Sequence, residues 1–564
     1  MIVARHRGLM VRWVPPVYAL ALALVITAPL LAPGYLLLRD AVSTPRSYLS
    51  DSAVGLGESA PRAVPQDFAV ALLSAAVDGG VVVKAILMAG VFLAGWGAAR
   101  LAALMLPDAG VPGQLVATTV AVWNPYVAER LLQGHWSLLL AYGCLSWVAA
   151  AVVRLRTRPP EGSTWAAVVF WIALAGLTPT GLMLAAIVAL VCVTVPGDGV
   201  SRIRCGATVL GIAVLAALPW LTASSLGDTL GGAQSSGLAP FAARAEPGLG
   251  TLGSLAGLGG IWNAESVPPS RTTAFALVAT IVLVAVVTCG IPALLRRPDT
   301  KPLLVLAAVS LLSVAAMATG PGLTVLRTVV DEVPDLAVLR DGQKWVALAV
   351  PGYTLAGAGV VLTMRRWIRP GVSAAVCAAA VIAVLPDLGW GVGGSLVPVH
   401  YPQGWGAVAA RINTDPQDVA VLPSETMRRF TWSGSAPVLD PLPRWVRADV
   451  LSTGDLVVSG RTVSGEGDHA REVQRLLADG ADRATLAAAG VGWVVTETDS
   501  QAPGQLTIDY SADGLTLYRV GGVSPVVPQW KRIVVIVAHL IWVGMILASA
   551  AALGFSARRR RTQS

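Results

Sequence analysis

The sequence predicts an α-helical polytopic membrane protein of about 12 spans carrying a C-terminal extracytoplasmic α/β domain. Three observations predict it. The chain of 564 residues is 55% hydrophobic and only 13% charged, whereas soluble proteins carry about 25% charged residues. Apolar runs recur from Val17 to Ala552, and many reach the roughly 20 residues that span a bilayer. Short Arg/Lys clusters sit beside those runs, which is the topogenic pattern of membrane proteins. A large soluble core would need amphipathic helices with a polar face. Segments such as 85–99 and 272–295 are apolar all round.

The spans read as 15–38, 81–106, 113–125, 137–153, 165–177, 181–195, 206–226, 272–295, 302–318, 345–364, 372–388 and 533–553. Arg5, Arg7 and Arg12 precede the first span and place the N-terminus in the cytoplasm. That run lacks a small-residue cleavage site and is long enough to span, so it is a retained first helix rather than a signal peptide. With this start, the clusters Arg154/Arg156/Arg158, Arg202/Arg204, Arg296/Arg297/Lys301, Arg365/Arg366/Arg369 and Arg558–Arg561 all fall in cytoplasmic segments. Lys531 and Arg532 are the exception. The pair 165–177 and 181–195 is the weakest point of the parse, because Pro179 could break one long helix and reverse everything downstream.

Residues 392–530 are not membrane-like. The stretches 417–423, 491–497 and 515–520 read as short buried strands, and 470–490 carries helix-period segments. Alternating strands and helices predict a small α/β domain. The chain thus divides into a membrane domain 1–391, an outer domain 392–530, and a last span with a basic cytoplasmic tail, 531–564. The net charge of +8 belongs to topogenic arginines rather than to a nucleic-acid surface. Cys144, Cys192, Cys205, Cys289 and Cys377 lie in or beside spans without metal-ligand spacing, so neither a structural disulfide nor a zinc site is expected. Arg outnumbers Lys, and Ala, Val, Gly and Leu dominate, a composition of the kind high-GC actinobacteria encode.

The chemistry-bearing residues gather in the outward connections. The loop after the first span holds Arg39, Asp40, Asp51, Glu58 and Asp67, with a short amphipathic segment at 67–77. A carboxylate at the membrane boundary can deprotonate a hydroxyl or hold a divalent cation; as surface acids they would simply be solvated. The stretch 124–136, NPYVAERLLQGHW, places Glu129, Arg130, Gln133 and His135 between two apolar spans. Charge beside hydrocarbon is costly and is either paired or functional; a Glu129–Arg130 ion pair is the structural alternative. The stretch 339–345, LRDGQKW, places Arg340 and Lys344 four residues apart, able to grip one anion. There, Asp341 neutralising Arg340 is the alternative. The loop stretches 244–248 and 259–265 either supply aromatics to an acceptor or only turn the chain. P-loop, GxSxG, HExxH and CxxC motifs are absent, and few charged residues lie mid-span.

The two stretches NPYVAERLLQGHW and LRDGQKW, with the acidic first outer loop and the C-terminal outer domain, resemble a bacterial and archaeal branch of the GT-C superfamily. The resemblance covers most of the membrane portion. It implies an integral membrane glycosyltransferase of cell-envelope (cell-wall) biogenesis that takes a sugar from a polyprenyl-phosphate donor and passes it to a glycan or glycolipid on the outer face of the plasma membrane. It also implies a catalytic carboxylate in the first outer loop. Asp40 is the nearest match by position and Asp67 the second, although no paired-acid motif stands there. Glu129, Arg130, His135, Arg340, Asp341 and Lys344 are then the substrate-binding candidates. No residue is assigned to a metal, and a divalent cation is the one cofactor left open. The partners implied are the lipid-linked donor, the acceptor and membrane lipids, and no nucleic acid. A lipid or polysaccharide transporter, or a non-catalytic scaffold of envelope assembly, remain the alternatives. The topology has a direct check: reporter tags before Met1 and after Ser564 are expected to read cytoplasm and one at Ala470 to read outside, and a cytoplasmic signal at Ala470 would overturn the outward mechanism.

Overall fold

The computed structural model describes residues 2–57, 61–227, 237–458, 460–497 and 506–562, without the side chains of 2–11, 334–335, 461 and 560–562. Glu58 lies outside the described residues, as do the side chains of Arg5, Arg7, Arg560 and Arg561. Each of the twelve predicted spans coincides with a helix. Seven helices are long and apolar enough to cross a membrane, and nine if two bent pairs each count as one span. Those pairs are Lys301–Met317 with Gly320–Glu332, bent by 91°, and Pro370–Ala383 with 386–394, bent by 75°. Three predicted spans, Gly110–Val122, Gly162–Ala175 and Pro179–Val193, have 13, 14 and 15 residues. At about 1.5 Å per residue each falls short of a hydrocarbon core of roughly 30 Å. The sequence parse, 113–125, 165–177 and 181–195, already gave short segments there, and the helix starts at Pro125 and Pro179 mark the same breaks.

Small residues set the helix packing, because in lipid close backbone approach replaces hydrophobic drive. Helix Phe275–Leu295 meets Val350–Met364 at Gly290, where an added β-carbon would collide with the carbonyl of Ala356. Helices Gly79–Met105 and Trp136–Thr157 cross at Gly90 and Gly143 in the same way.

The strand-containing C-terminal region holds a five-stranded mixed sheet. Its strands are β1 (Val419–Leu422), β2 (Val450–Leu451), β3 (Trp493–Thr496), β4 (Thr507–Ala512) and β5 (Leu515–Arg519), in the order β4-β5-β3-β1-β2. β1 runs parallel to both β2 and β3, while β5 is antiparallel to β3 and to β4. β1 and β3 are buried on both faces, as parallel strands require. Trp405, Ile412 and Trp445 cover one face; Ala470, Val473, Leu477 and Leu486 cover the other. Sequence reading found β1, β3 and β5 but not β4, a polar, exposed edge strand, nor β2, which has two residues.

This region is stitched to the first loop by backbone pairing. Tyr35 and Val399 exchange hydrogen bonds of 2.8 and 2.9 Å, and Arg39 pairs with Pro437 and Leu439 at 2.9 and 3.0 Å. Leu37 and Tyr35 pack on the cluster around Trp405 and Trp432, so part of that apolar surface is covered by the membrane portion. Ion pairs Asp51–Arg532, Arg62–Glu466 and Asp67–Arg444 add to the seam. The seam thus fixes the first loop under the sheet. Gly290→Val is expected to force apart two packed helices and lower the melting temperature in detergent, whereas Gly211→Val, with open space around it, should leave it unchanged.

Candidate functional site

The site is built on the short helix Pro125–Gln133. Asn124 caps it by accepting the Val127 amide at 3.0 Å, and Pro125 occupies the first turn, where its missing N–H costs nothing. Gly134, at φ +82°, ends it in the left-handed conformation that a glycine C-cap supplies. A β-carbon there would run into Leu38 and Ala41 of the first loop, so this loop can lie directly on the helix end. The Asp40 amide donates to the Gln133 carbonyl at 3.1 Å, which completes the contact.

Arg130 is fully buried at the centre. It holds Asp341 through two hydrogen bonds of 2.8 and 3.1 Å, contacts Gln343, and reaches His135 Nδ1 at 3.0 Å. Glu129, also fully buried, accepts from the Gly260 and Ile261 amides at 3.1 and 3.2 Å and from Gln343 at 2.9 Å. Burial and the Glu246 carboxylate push Glu129 up from the ordinary glutamate range. Neither simple pairing expected from sequence occurs: Arg130 neutralises Asp341 rather than Glu129, and Asp341 serves Arg130 rather than Arg340. Burial would raise the Asp341 carboxyl, but Arg130 and Lys344 outweigh it and hold it well below the usual carboxylate range.

Guanidinium nitrogen can only donate, so Nδ1 of His135 must accept, and Nε2 carries the ring proton. Nε2 lies 2.9 Å from Asp40 Oδ2 and therefore donates to it. Gln133 donates to the same oxygen at 3.1 Å. Burial would raise the Asp40 carboxyl, but the His135 hydrogen bond, with Gln133 and Lys344, holds it below its ordinary value. The His135 ring is itself held below its ordinary value because burial, helped by Lys344 and Arg130, outweighs the Asp40 carboxylate. At neutral pH the pair is an ionised carboxylate and a neutral imidazole.

Above this pair opens a cavity of about 1710 Å³. Its walls come from the first loop, the Pro125–Gln133 helix end, the start of helix Pro179–Val193, residues Trp262–Glu265, the 338–344 stretch and the C-terminal region. Asp40, His135, Arg340, Asp341 and Lys344 line it; Glu129 and Arg130 do not, and form the buried support behind the wall. Asp67 is turned to Arg444 at 3.3 Å and is not a lining residue. Arg340 stacks over Phe241 at 4.6 Å and has no carboxylate partner among the described residues. Burial, with Arg62 nearby, lowers its pKa to about 10, so it stays charged at neutral pH. Lys344 is 3.6 Å from Asp341, a partner shared with Arg130. Among the described residues no group of three His, Cys, Asp or Glu side chains is arranged to hold a metal ion.

Sequence reading underrated three contributors. Arg39, at φ 49°, is buried and donates to the carbonyls of Leu132 and Glu265 at 2.7 Å each. The 259–265 loop does more than turn: it supplies the Glu129 amides, and Asn263 and Ser266 both hydrogen-bond Gln133 at 2.8 Å. The C-terminal region adds Thr426, Arg428, Arg471 and Gln474 to the wall. Only the Gly-rich composition of 259–265 carried a local signal; the others are long-range consequences of the seam.

No known family model matches the chain, and no curated protein matches its sequence. Among solved structures it is similar to the single-particle cryo-EM structure of the arabinofuranosyltransferase AftD from mycobacteria, with a TM-score of 0.57 and 16% identity. The likeness covers 91% of this chain and 40% of that one, so the chain spans well under half the length of that structure. It shows a shared fold. The support network behind the site has its own check. Asp341→Asn leaves the Arg130 charge buried without its counter-ion, a kind of loss that costs about 3–5 kcal/mol, and is expected to lower the melting temperature far more than Glu265→Gln at the exposed rim; equal shifts would contradict the network.

Proposed function

We propose that the protein is a membrane glycosyltransferase that moves a sugar from a polyprenyl-phosphate donor to a cell-envelope glycan or glycolipid at the outer face of the plasma membrane. The observation that carries the reading is a single cavity, walled by apolar helices and by the C-terminal region, that brings an ionised carboxylate together with a half-buried guanidinium without a carboxylate partner among the described residues. Nucleotide sugars are not available outside the plasma membrane. A transferase working there needs a donor anchored in the lipid, and a phosphate head needs cations beside the bilayer. The shared fold with a membrane arabinofuranosyltransferase supports the class of reaction.

In this mechanism Asp40 is the base. The acceptor hydroxyl gives its proton to the free carboxylate oxygen while the acceptor oxygen forms a bond to the anomeric carbon. The bond between that carbon and the phosphate oxygen breaks, and polyprenyl phosphate leaves with the electron pair. Arg340 supplies donors in a fork suited to phosphate; Lys344 adds a point charge, so the developing negative charge is met by preorganised cations. His135 does not take the proton. It positions Asp40 and keeps it ionised, because its own Nδ1 is tied to Arg130. Glu129 and Gln133 shape the wall through the 259–266 loop. Asp67, tied to Arg444 and off the cavity wall, would have to leave that pair to take Asp40's place.

The mutational test separates binding from chemistry. Asp40→Asn is expected to spare donor binding and abolish transfer, and Arg340→Ala to weaken donor binding at least tenfold; full activity in Asp40→Asn would remove Asp40 from the mechanism and bring Asp67 forward.

The pH profile tests His135. A base must be unprotonated, so the rate falls as pH drops through its pKa. With Asp40 held below its ordinary value, the acid limb lies below the ordinary aspartate range. His135→Leu removes the largest contribution opposing burial and leaves only Gln133 and Lys344, so the limb is expected to move to higher pH; an unmoved limb would make His135 merely structural.

A further inference from the structure

The C-terminal sheet has a feature that donor binding does not use. In the order β2-β1-β3, the chain leaves β1 toward β2 on one side and leaves β3 toward β4 on the other. The strand order therefore reverses between β1 and β3, and the chain beyond the carboxyl end of β1 borders a crevice. Open α/β sheets bind ligands at such a switch point. Here the crevice faces the large cavity, because Pro423–Arg428 after β1 line it.

The polar groups at this edge are incompletely satisfied. The Arg428 side chain is only 6% exposed; its Nε donates to Glu497 at 2.7 Å and its Nη2 lies 3.9 Å from Asp440. Among the described residues its Nη1 has no partner, nor have Thr426 Oγ1 and Gln474 Oε1, and all three residues line the cavity. Buried polar groups left unpaired are costly and rare in native proteins, so a cluster of them at a cavity wall points to a ligand. The set offers a donor, an acceptor and a hydroxyl that does both. Glu497 and Asp440 already compensate the Arg428 charge. A phosphate would want free cations; groups that donate and accept without net charge suit vicinal hydroxyls.

The crevice also lies at a useful distance from Asp40. Arg428 pairs with Val438, and Val438 flanks Arg39 on its other side. Two strand spacings, about 10 Å, therefore separate the Arg428 backbone from the residue preceding Asp40. We infer that the crevice built by Thr426, Arg428 and Gln474 is a subsite for a neutral, hydroxyl-rich carbohydrate, the acceptor glycan of the proposed transfer. The word acceptor rests on that proposal; the carbohydrate site does not.

Thr426 gives a clean test, since its hydroxyl makes no bond that folding would lose. The full-length protein in detergent is titrated with a panel of neutral arabino-, galacto- and manno-oligosaccharides by saturation-transfer NMR, without donor. Wild type is expected to bind at least one member. Thr426→Val should bind it about three- to ten-fold more weakly, the worth of one hydrogen bond, with an unchanged melting temperature. Thr426→Ser should restore binding, and Arg340→Ala should bind as wild type. Wild type binding none of the panel, or Thr426→Val binding as wild type does, overturns the subsite. Binding that depends on Thr426 without transfer from any polyprenyl-phosphate donor would keep the subsite and sink the transferase reading. Transfer with an unchanged acceptor KM in Thr426→Val would do the reverse.

Discussion

The buried Arg130 guanidinium is the constraint on which the site depends. A charge taken out of lipid-side and aqueous contact alike must be met in place, because its desolvation is otherwise prohibitive. Asp341 and Gln343 meet it from one part of the chain and His135 from another. Each partner is thereby fixed: Asp341 draws Lys344 toward the cavity rim, Gln343 reaches on to Glu129, and His135 is forced into the tautomer that donates to Asp40. Asp341, by its sequence a neighbour able to neutralise Arg340, becomes instead the counter-ion on which Arg130 and Lys344 converge. The order is one of dependence: a permanent buried cation selects a ring tautomer, the tautomer holds a carboxylate, and the carboxylate faces the cavity.

The second constraint is the backbone seam. Arg39, next to Asp40, is paired into a small ladder with Pro437–Leu439, which in turn pairs with Met427–Arg428. Side-chain contacts between a membrane bundle and an outer domain can slide; a hydrogen-bonded ladder fixes register. Asp51–Arg532 and the bond from Lys531 to the Leu226 carbonyl tie the last helix to the same end of the molecule. These are the two cations that ran against the topogenic pattern, and their partners give the physical reason they are tolerated there.

Much of the fold was legible because apolar length is a local signal. Each of the twelve predicted segments contains a helix, although the first runs past its helix end at Leu31, and the strands at 419–422, 493–496 and 515–519 fall inside the predicted stretches. What was illegible is instructive. Helix length within an apolar run depends on prolines and caps, so thirteen-residue Gly110–Val122 reads like a span until its ends are seen. Arg156 reads as a topogenic charge, yet its side chain is buried and holds the carbonyls of Val195 and Val200. At the site, residue types and segments were readable but pairings were not. Arg130 and Asp341 are 211 positions apart, and nothing in either stretch says which acid the arginine takes. Wall residues of the C-terminal domain were invisible for the same reason, since their position follows from a ladder between distant segments.

The central claim is that this cavity performs sugar transfer rather than holding a lipid phosphate without chemistry. The most direct measurement incubates the purified protein with radiolabelled polyprenyl-phosphate sugars and an envelope-derived acceptor, and follows both products. The account expects labelled sugar on the acceptor and an equal amount of free polyprenyl phosphate. Tight donor binding with neither product, across pentose and hexose donors, would contradict it and leave a transporter or scaffold.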